Sequence, residues 1–359
     1  MPPPPRKPKA KGPPRATEEA LAARAHGALL GLAAGEALGV HLEGRQLVAA
    51  HFPQLNDGPH TDFRGGGTRA LKAGQVSWGT EMACCLSEAL RTGFDLEAVA
   101  KRYARWLGDA NEPPEPVKRA LELVLEGRAP EYVGRQLWLE SGQALKDNAA
   151  LVRTTPIGVH LARHRDERIR LCLEDTALTH FAPVCRLASV IVNAVVAAAV
   201  TSPKERAEKA DLVKAIEADL SVAAATLARR EPEWVVAVRD AAGWLREDVT
   251  AAQAADPLLF GPELHLFWSP TWARVTLRLA LWELFHAPSL EAGVIDAANR
   301  GGDAAVNASV TGALLGAVHG EAALPARWRE GLLEAPGPSG GPHWNAYHPR
   351  FLLALAPRP

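Results

Sequence analysis

Cysteine is scarce: Cys84, Cys85, Cys172 and Cys185 are the only four in 359 residues. They show neither paired zinc spacing nor the density of a disulfide-stapled scaffold, so both are excluded in favour of structural thiols in a reducing, cytoplasmic compartment. Charge of one sign is lacking too, since 40 Lys and Arg against 41 Asp and Glu leave a net charge of -1. That balance supplies no global attraction to nucleic acid or to an anionic membrane. The most apolar run, Leu187 to Val200 with Asn193 inside it, is shorter than the roughly 20 residues that cross a bilayer and reads as a buried core helix. No stretch alternates β-branched residues in the way a sheet demands, and no repeat of fixed period appears.

What the chain has instead is alanine and leucine at helical spacing, punctuated by Gly and Pro. The fold class is therefore all-α. Residues 1–16, MPPPPRKPKAKGPPRA, have too little apolar surface to fold and no signal-peptide core, and are expected to be a disordered basic tail. One compact helical domain is expected over 17–359. Helices are predicted from Glu18 to Leu38, Asp95 to Leu107, Glu115 to Leu125, Thr176 to Val200, Lys204 to Arg229 and Pro270 to Phe285.

The first of these contains Gly27, Gly31 and Gly35 and ends at Gly39, while Gly312, Gly316 and Gly320 repeat at the same interval near the other end of the chain. Glycine inside a helix costs about 1 kcal/mol relative to alanine, so a compensating close approach is expected. Residues four apart share one helix face, and the two grooves place these helices at the centre of the domain, facing each other. Between the helices, 57–77 forms a long glycine-rich loop, DNAALVRTTP at 147–156 an irregular piece, and Gly301-Gly302-Asp303 a turn into a helix.

Three blocks carry more than fold. GALLGLAAGEALGVHLEG at 27–44, SWGTEMACCLSEAL at 77–90 and NRGGDAAVNASVTGALLGA at 299–317 occur in an order and spacing that resembles the ADP-ribosylglycohydrolase family over roughly residues 26–332. The resemblance implies a compact all-α fold, an ADP-ribose-like small molecule or ADP-ribosylated substrate as partner, and cleavage of a glycosidic bond to ADP-ribose. It also implies two magnesium ions held by a Thr-Asp-Asp run at the second block and an Asp-x-Asp-Thr run at the third.

Those positions depart from the family pattern here. Ser77, Trp78 and Gly79 stand at the first run, and Asp303, Ala305 and Val306 at the second, so only Ser77 and Asp303 remain as metal positions. Magnesium demands oxygen ligands, and one carboxylate with one hydroxyl is too few for two ions. No cofactor is therefore expected. Glu43 and Asp303 are the catalytic candidates, as the carboxylate pair that glycoside cleavage uses, or else Glu43 is a relic and Asp303 a helix cap. Glu36, where the family has aspartate, Trp78, His180, Gly301, Gly302 and Asn307 are the substrate-binding candidates. The glycine turn would offer free N–H groups to a phosphate, and Trp78 would either stack on a ligand or fill a vacated cavity. Ser77 and Thr80 read as helix N-caps, and Arg153 as structural. The alternative to hydrolysis is a non-catalytic ADP-ribose or nucleotide binder or scaffold.

Overall fold

A computed structural model describes residues 17–45, 59–337 and 344–356. The basic tail expected over 1–16 lies outside them. Sixteen α-helices follow one another in the described residues: α1 (Glu18–Gly39), α2 (Trp78–Thr92), α3 (Leu96–Leu107), α4 (Glu115–Leu125), α5 (Pro130–Glu140), α6 (Ala149–Arg153), α7 (Thr155–His160) and α8 (Arg165–Thr179), then α9 (Pro183–Val200), α10 (Lys209–Arg230), α11 (Val235–Ala251), α12 (Ala273–His286), α13 (Leu290–Asn299), α14 (Ala304–His319), α15 (Ala326–Glu334) and α16 (Pro349–Leu355). Short 3-10 turns and isolated β-bridges accompany them, with no strand among the described residues, so the all-α expectation holds there.

α1 and α14 form the axis of the molecule, and they touch backbone to backbone. A Cβ added at Gly31 would lie 2.0 Å from the carbonyl oxygen of Gly312, one at Gly27 2.3 Å from that of Gly316, and one at Gly35 2.0 Å from that of Ala308. As the number rises along α1 it falls along α14, so the pair is antiparallel. The glycines offset their helix cost by letting two buried helices approach without side chains between them. Both ends of the first and third sequence blocks, Glu43 and Asp303, are thereby brought to the same end of this axis.

Two expected elements differ from the sequence reading. The helix predicted over Thr176 to Val200 is two, α8 and α9, separated by His180-Phe181-Ala182 with Pro183 at the first turn of α9. Proline lacks the N–H that would continue α8 and suits a helix start. The segment 147–156, expected to be irregular, folds into α6 and the first residues of α7. α9 is long and apolar enough to cross a membrane by composition, yet 94% of it is buried inside the protein. Arg153 is structural, as expected: fully buried, it donates from Nε to Asp175 Oδ2 at 2.9 Å, and Tyr103 donates to the same carboxylate.

Candidate active site

The cleft at the α1–α14 end has a volume of about 450 Å³, and its walls include Glu43, Arg69, Trp78, Asp147, Asn148, Gly302 and Asp303. Glu43 follows the 3-10 turn that closes α1, and Asp303 immediately precedes α14. A reciprocal backbone bridge fixes one against the other. Gly44 N donates to Gly302 O at 2.8 Å and Gly302 N to Arg45 O at 3.0 Å. Gly302 has φ +63°, and a Cβ there would sit 2.6 Å from Leu266 O, so the turn requires glycine twice over.

That bridge alters the role expected of the glycine turn. Gly301 N donates to Ala298 O at 3.2 Å and Gly302 N is bound to Arg45 O, so neither amide is available to a phosphate in this conformation. The turn instead positions carboxylates. Asp303 makes no side-chain cap to α14; its Oδ2 accepts from Asn148 Nδ2 at 2.9 Å. The same Nδ2 donates to Thr276 Oγ1 at 2.8 Å, and Thr276 donates to Asn307 Oδ1 at 2.6 Å. Asn307 is thus fully buried and reaches the cleft only through Thr276 and Asn148.

Arg69 enters from the glycine-rich loop. Gly66 and Leu71 exchange backbone hydrogen bonds of 2.6 and 3.0 Å, closing a tight turn that carries Arg69. Its Nη1 donates to Glu43 Oε2 at 2.8 Å. Burial pushes the Glu43 carboxyl up, the Arg69 charge and hydrogen bond pull it down, and the net shift is upward. Asp303 is pushed up to about 7, first by burial and then by the nearby Glu43 charge, against the Asn148 hydrogen bond. Both carboxyls are therefore raised, Asp303 far enough to keep a proton near neutral pH, while Glu43 alone of the two is hydrogen-bonded to a cation.

His180 does not line the cleft. It is fully buried behind Asp147, with Nδ1 2.7 Å from Thr179 Oγ1 and Nε2 against Asp147 Oδ1. Burial raises the Asp147 carboxyl, but the His180 contact outweighs it and the net shift is downward. Asp147 and Thr271 also line a neighbouring hollow of about 410 Å³ with Lys146, Ser269 and Trp272, so the cleft continues beyond the carboxylates.

The start of α2 has been rebuilt around Glu36. Ser77 occupies the N-cap position, yet its side chain caps nothing, and the capping group is a carboxylate from α1. Glu36 Oε1 accepts from Ser77 Oγ at 2.8 Å and Gly79 N at 2.9 Å, while Oε2 accepts from Ser77 N at 3.2 Å and Thr80 N at 3.1 Å. A carboxylate has about four lone-pair sites, and all of them are engaged. Gly79 has no room for a side chain, because a Cβ would fall 2.6 Å from Val152 Cγ1 and 2.7 Å from Glu36 Oε1. Trp78, only 3% exposed, sits in the cleft wall and leaves the cavity open.

Of the residues expected from sequence, the structure brings Glu43, Asp303, Trp78 and Gly302 to the cleft, with Glu36, His180 and Asn307 behind it. Arg69, Asp147 and Asn148 were missed as site residues. Asn148 had a signal in lying within the irregular piece at 147–156, whereas a single arginine in a glycine-rich loop has none.

Comparison with known proteins gives the family and agrees with the fold. The family model described as ADP-ribosylglycohydrolase matches residues 17–350. The chain is 23% identical over 325 residues to the ADP-ribosylarginine hydrolase Tri1 of Serratia proteamaculans (strain 568), covering 87% of this chain and 75% of that one. It is 25% identical over 320 residues to the protein of that name in Pseudomonas putida (strain GB-1), covering 88% and 75%. A solved structure titled ADP-ribosylglycohydrolase-related protein complex superposes with a TM-score of 0.67 and 28% identity, over 94% of this chain and 98% of that one.

Proposed function

Because the chain belongs to the ADP-ribosylglycohydrolase family, we propose that it cleaves an ADP-ribosyl glycosidic bond in the cleft, using Glu43 and Asp303 and no paired magnesium. The observation that carries this reading is that both carboxylates line one cavity of about 450 Å³. Such a volume accommodates a ribose with its leaving group, and the adjoining hollow lined by Lys146 and Trp272 offers space for the rest of an elongated ligand.

The chemistry follows from the two environments. Asp303, protonated, donates its proton to the departing atom as the bond to the ribose carbon breaks. Glu43, hydrogen-bonded to the Arg69 guanidinium, faces the positive charge that develops on the ribose and accepts a proton from the water that adds to that carbon. Asn148 holds Asp303 in place through Oδ2. Asp147, oriented by His180, forms the wall towards the second hollow. ADP-ribosylarginine, the substrate class in the names of the Tri1 relatives, is the first substrate to test, with the arginine guanidine as its leaving group.

The donor set supports the metal-free part of this reading. Trp78 and Gly79 bring no oxygen side chain, and the oxygens of Glu36 are already saturated by the start of α2. These residues do not fit a pair of hard, octahedral ions.

The test is release of ADP-ribose from ADP-ribosylated arginine by the full chain, with excess chelator and with added magnesium. Turnover that ignores magnesium and is lost in Glu43→Gln and Asp303→Asn is the expected result. Turnover that requires magnesium would overturn the metal-free reading. Tight ADP-ribose binding without turnover would favour a binding protein, for which the indole of Trp78 in the cleft wall is the supporting observation.

A further inference from the structure

We propose that Arg69 determines the specificity of the cleft by donating hydrogen bonds to the ring hydroxyl oxygens of a ribosyl group, so that ribosyl ligands are selected over their deoxy counterparts. This rests on the reading that an ADP-ribosyl group enters the cleft.

The guanidinium is held, but not used up. Nε donates to Glu112 O at 3.1 Å, Nη1 donates to Glu43 at 2.8 Å, and Asn111 Nδ2 donates to the Arg69 carbonyl at 3.1 Å. Its side chain is 13% exposed. Nη2 donates to no acceptor among the described residues, and the side chain lines the cleft. Gly67 seats the turn against the end of α1, where a Cβ would lie 2.4 Å from Val40 O. An arginine fixed at Nε and Nη1 presents its remaining edge in one direction, at little further entropic cost.

The class of ligand follows from the surrounding charge. Glu43, Glu115, Asp147 and Asp303 share the cleft lining with Arg69, which is the one cationic side chain among the described lining residues. A phosphate placed here would meet more negative than positive charge, and the amides of Gly301 and Gly302 are already bonded. Neutral hydroxyls suffer no such repulsion. They accept from Nη2 while donating to the carboxylates, which is the pairing a vicinal diol provides.

Calorimetric titration of the full chain with ADP-ribose, and with analogues lacking the 2- or 3-hydroxyl of the terminal ribose, tests the assignment. The wild-type protein is expected to prefer ADP-ribose by roughly 10- to 100-fold, the range for a hydrogen bond to a charged group. Arg69→Met should lose most of this preference, keeping only the part that the hydroxyls' own bonds to the carboxylates supply. Arg69→Lys keeps the charge but loses the fork and should lose most of the preference, and it carries the test if the methionine variant has a disturbed circular dichroism spectrum. An undiminished preference in both folded variants would overturn the role of Arg69 while leaving the ADP-ribosyl reading intact. Failure of the wild-type protein to bind ADP-ribose would overturn that reading, and this assignment with it.

Discussion

Asp303 and Glu43 are the same functional group in two environments, and the difference between them is what makes a reaction conceivable. Burial and the Glu43 charge push Asp303 up to about 7, so near neutral pH a substantial fraction keeps its proton. A general acid loses effectiveness as it deprotonates. Hydrolysis should therefore fall roughly tenfold per pH unit above about 7, and Asp303→Asn should lower kcat by about 10²- to 10⁴-fold. Initial rates between pH 5.5 and 9 check this, and a rate that stays flat through pH 7 would remove Asp303 from the role of acid. Both carboxylates were legible from the family-like blocks. Arg69 was not, because its place depends on the Gly66–Leu71 bridge and on its contact with Glu43, 26 positions away in sequence. His180 and Asn307 were found as residues, but their part is indirect: each acts through a neighbour, Asp147 or Thr276, that a pairwise reading of motifs does not reveal.

At the scale of elements, the α1–α14 contact and the start of α2 are the two interfaces that define the site. A methyl group at Gly31 or Gly312 would enter the opposing backbone at 2.0 Å, and helix backbones cannot yield as a flexible side chain does. Gly31→Ala should cost about 3 kcal/mol or more despite its better helix propensity, read as a lowered midpoint in urea unfolding. The glycine spacing made this contact legible in the sequence, since two costly grooves call for one shared explanation. The break between α8 and α9 was legible too, in Pro183, but the continuous apolar pattern on either side outweighed it.

The Glu36 cap was invisible, because it joins one block to another through a side chain one methylene longer than aspartate. Glu36→Ala would leave the first amides of α2 and Ser77 Oγ without their acceptor, at a cost of about 2–4 kcal/mol. Gly79→Asp alone should destabilise for the opposite reason, overcrowding against Glu36 and Val152. Pairing it with Glu36→Ala should recover part of that loss, so the two changes would be non-additive in a double-mutant cycle.

Across the whole molecule, several carboxyl groups are buried in a single continuous helical core, and they set how stability responds to pH. Glu81, on α2, accepts a 2.8 Å hydrogen bond from Trp106 Nε1 and is pushed from 4.5 up to about 8, chiefly by burial. Glu283, on α12, is likewise pushed up by burial and by the neighbouring Asp296 on α13. The sign follows from proton counting. Between about 4.5 and 8 the folded protein keeps the Glu81 proton and the unfolded chain has lost it, so folding stability declines as pH rises through that window and levels off above it. The loss from Glu81 by pH 9 is on the order of a few kcal/mol. Glu81→Gln is neutral at every pH and keeps an oxygen for the indole N–H. Urea unfolding at pH 5, 7 and 9 should show the wild-type protein weakening steadily, with the glutamine variant weakening less and overtaking it at the alkaline end. A wild-type midpoint that does not move between pH 5 and 9 would mean that Glu81 is ionised in the fold, with its charge compensated by a partner that Trp106 alone does not supply.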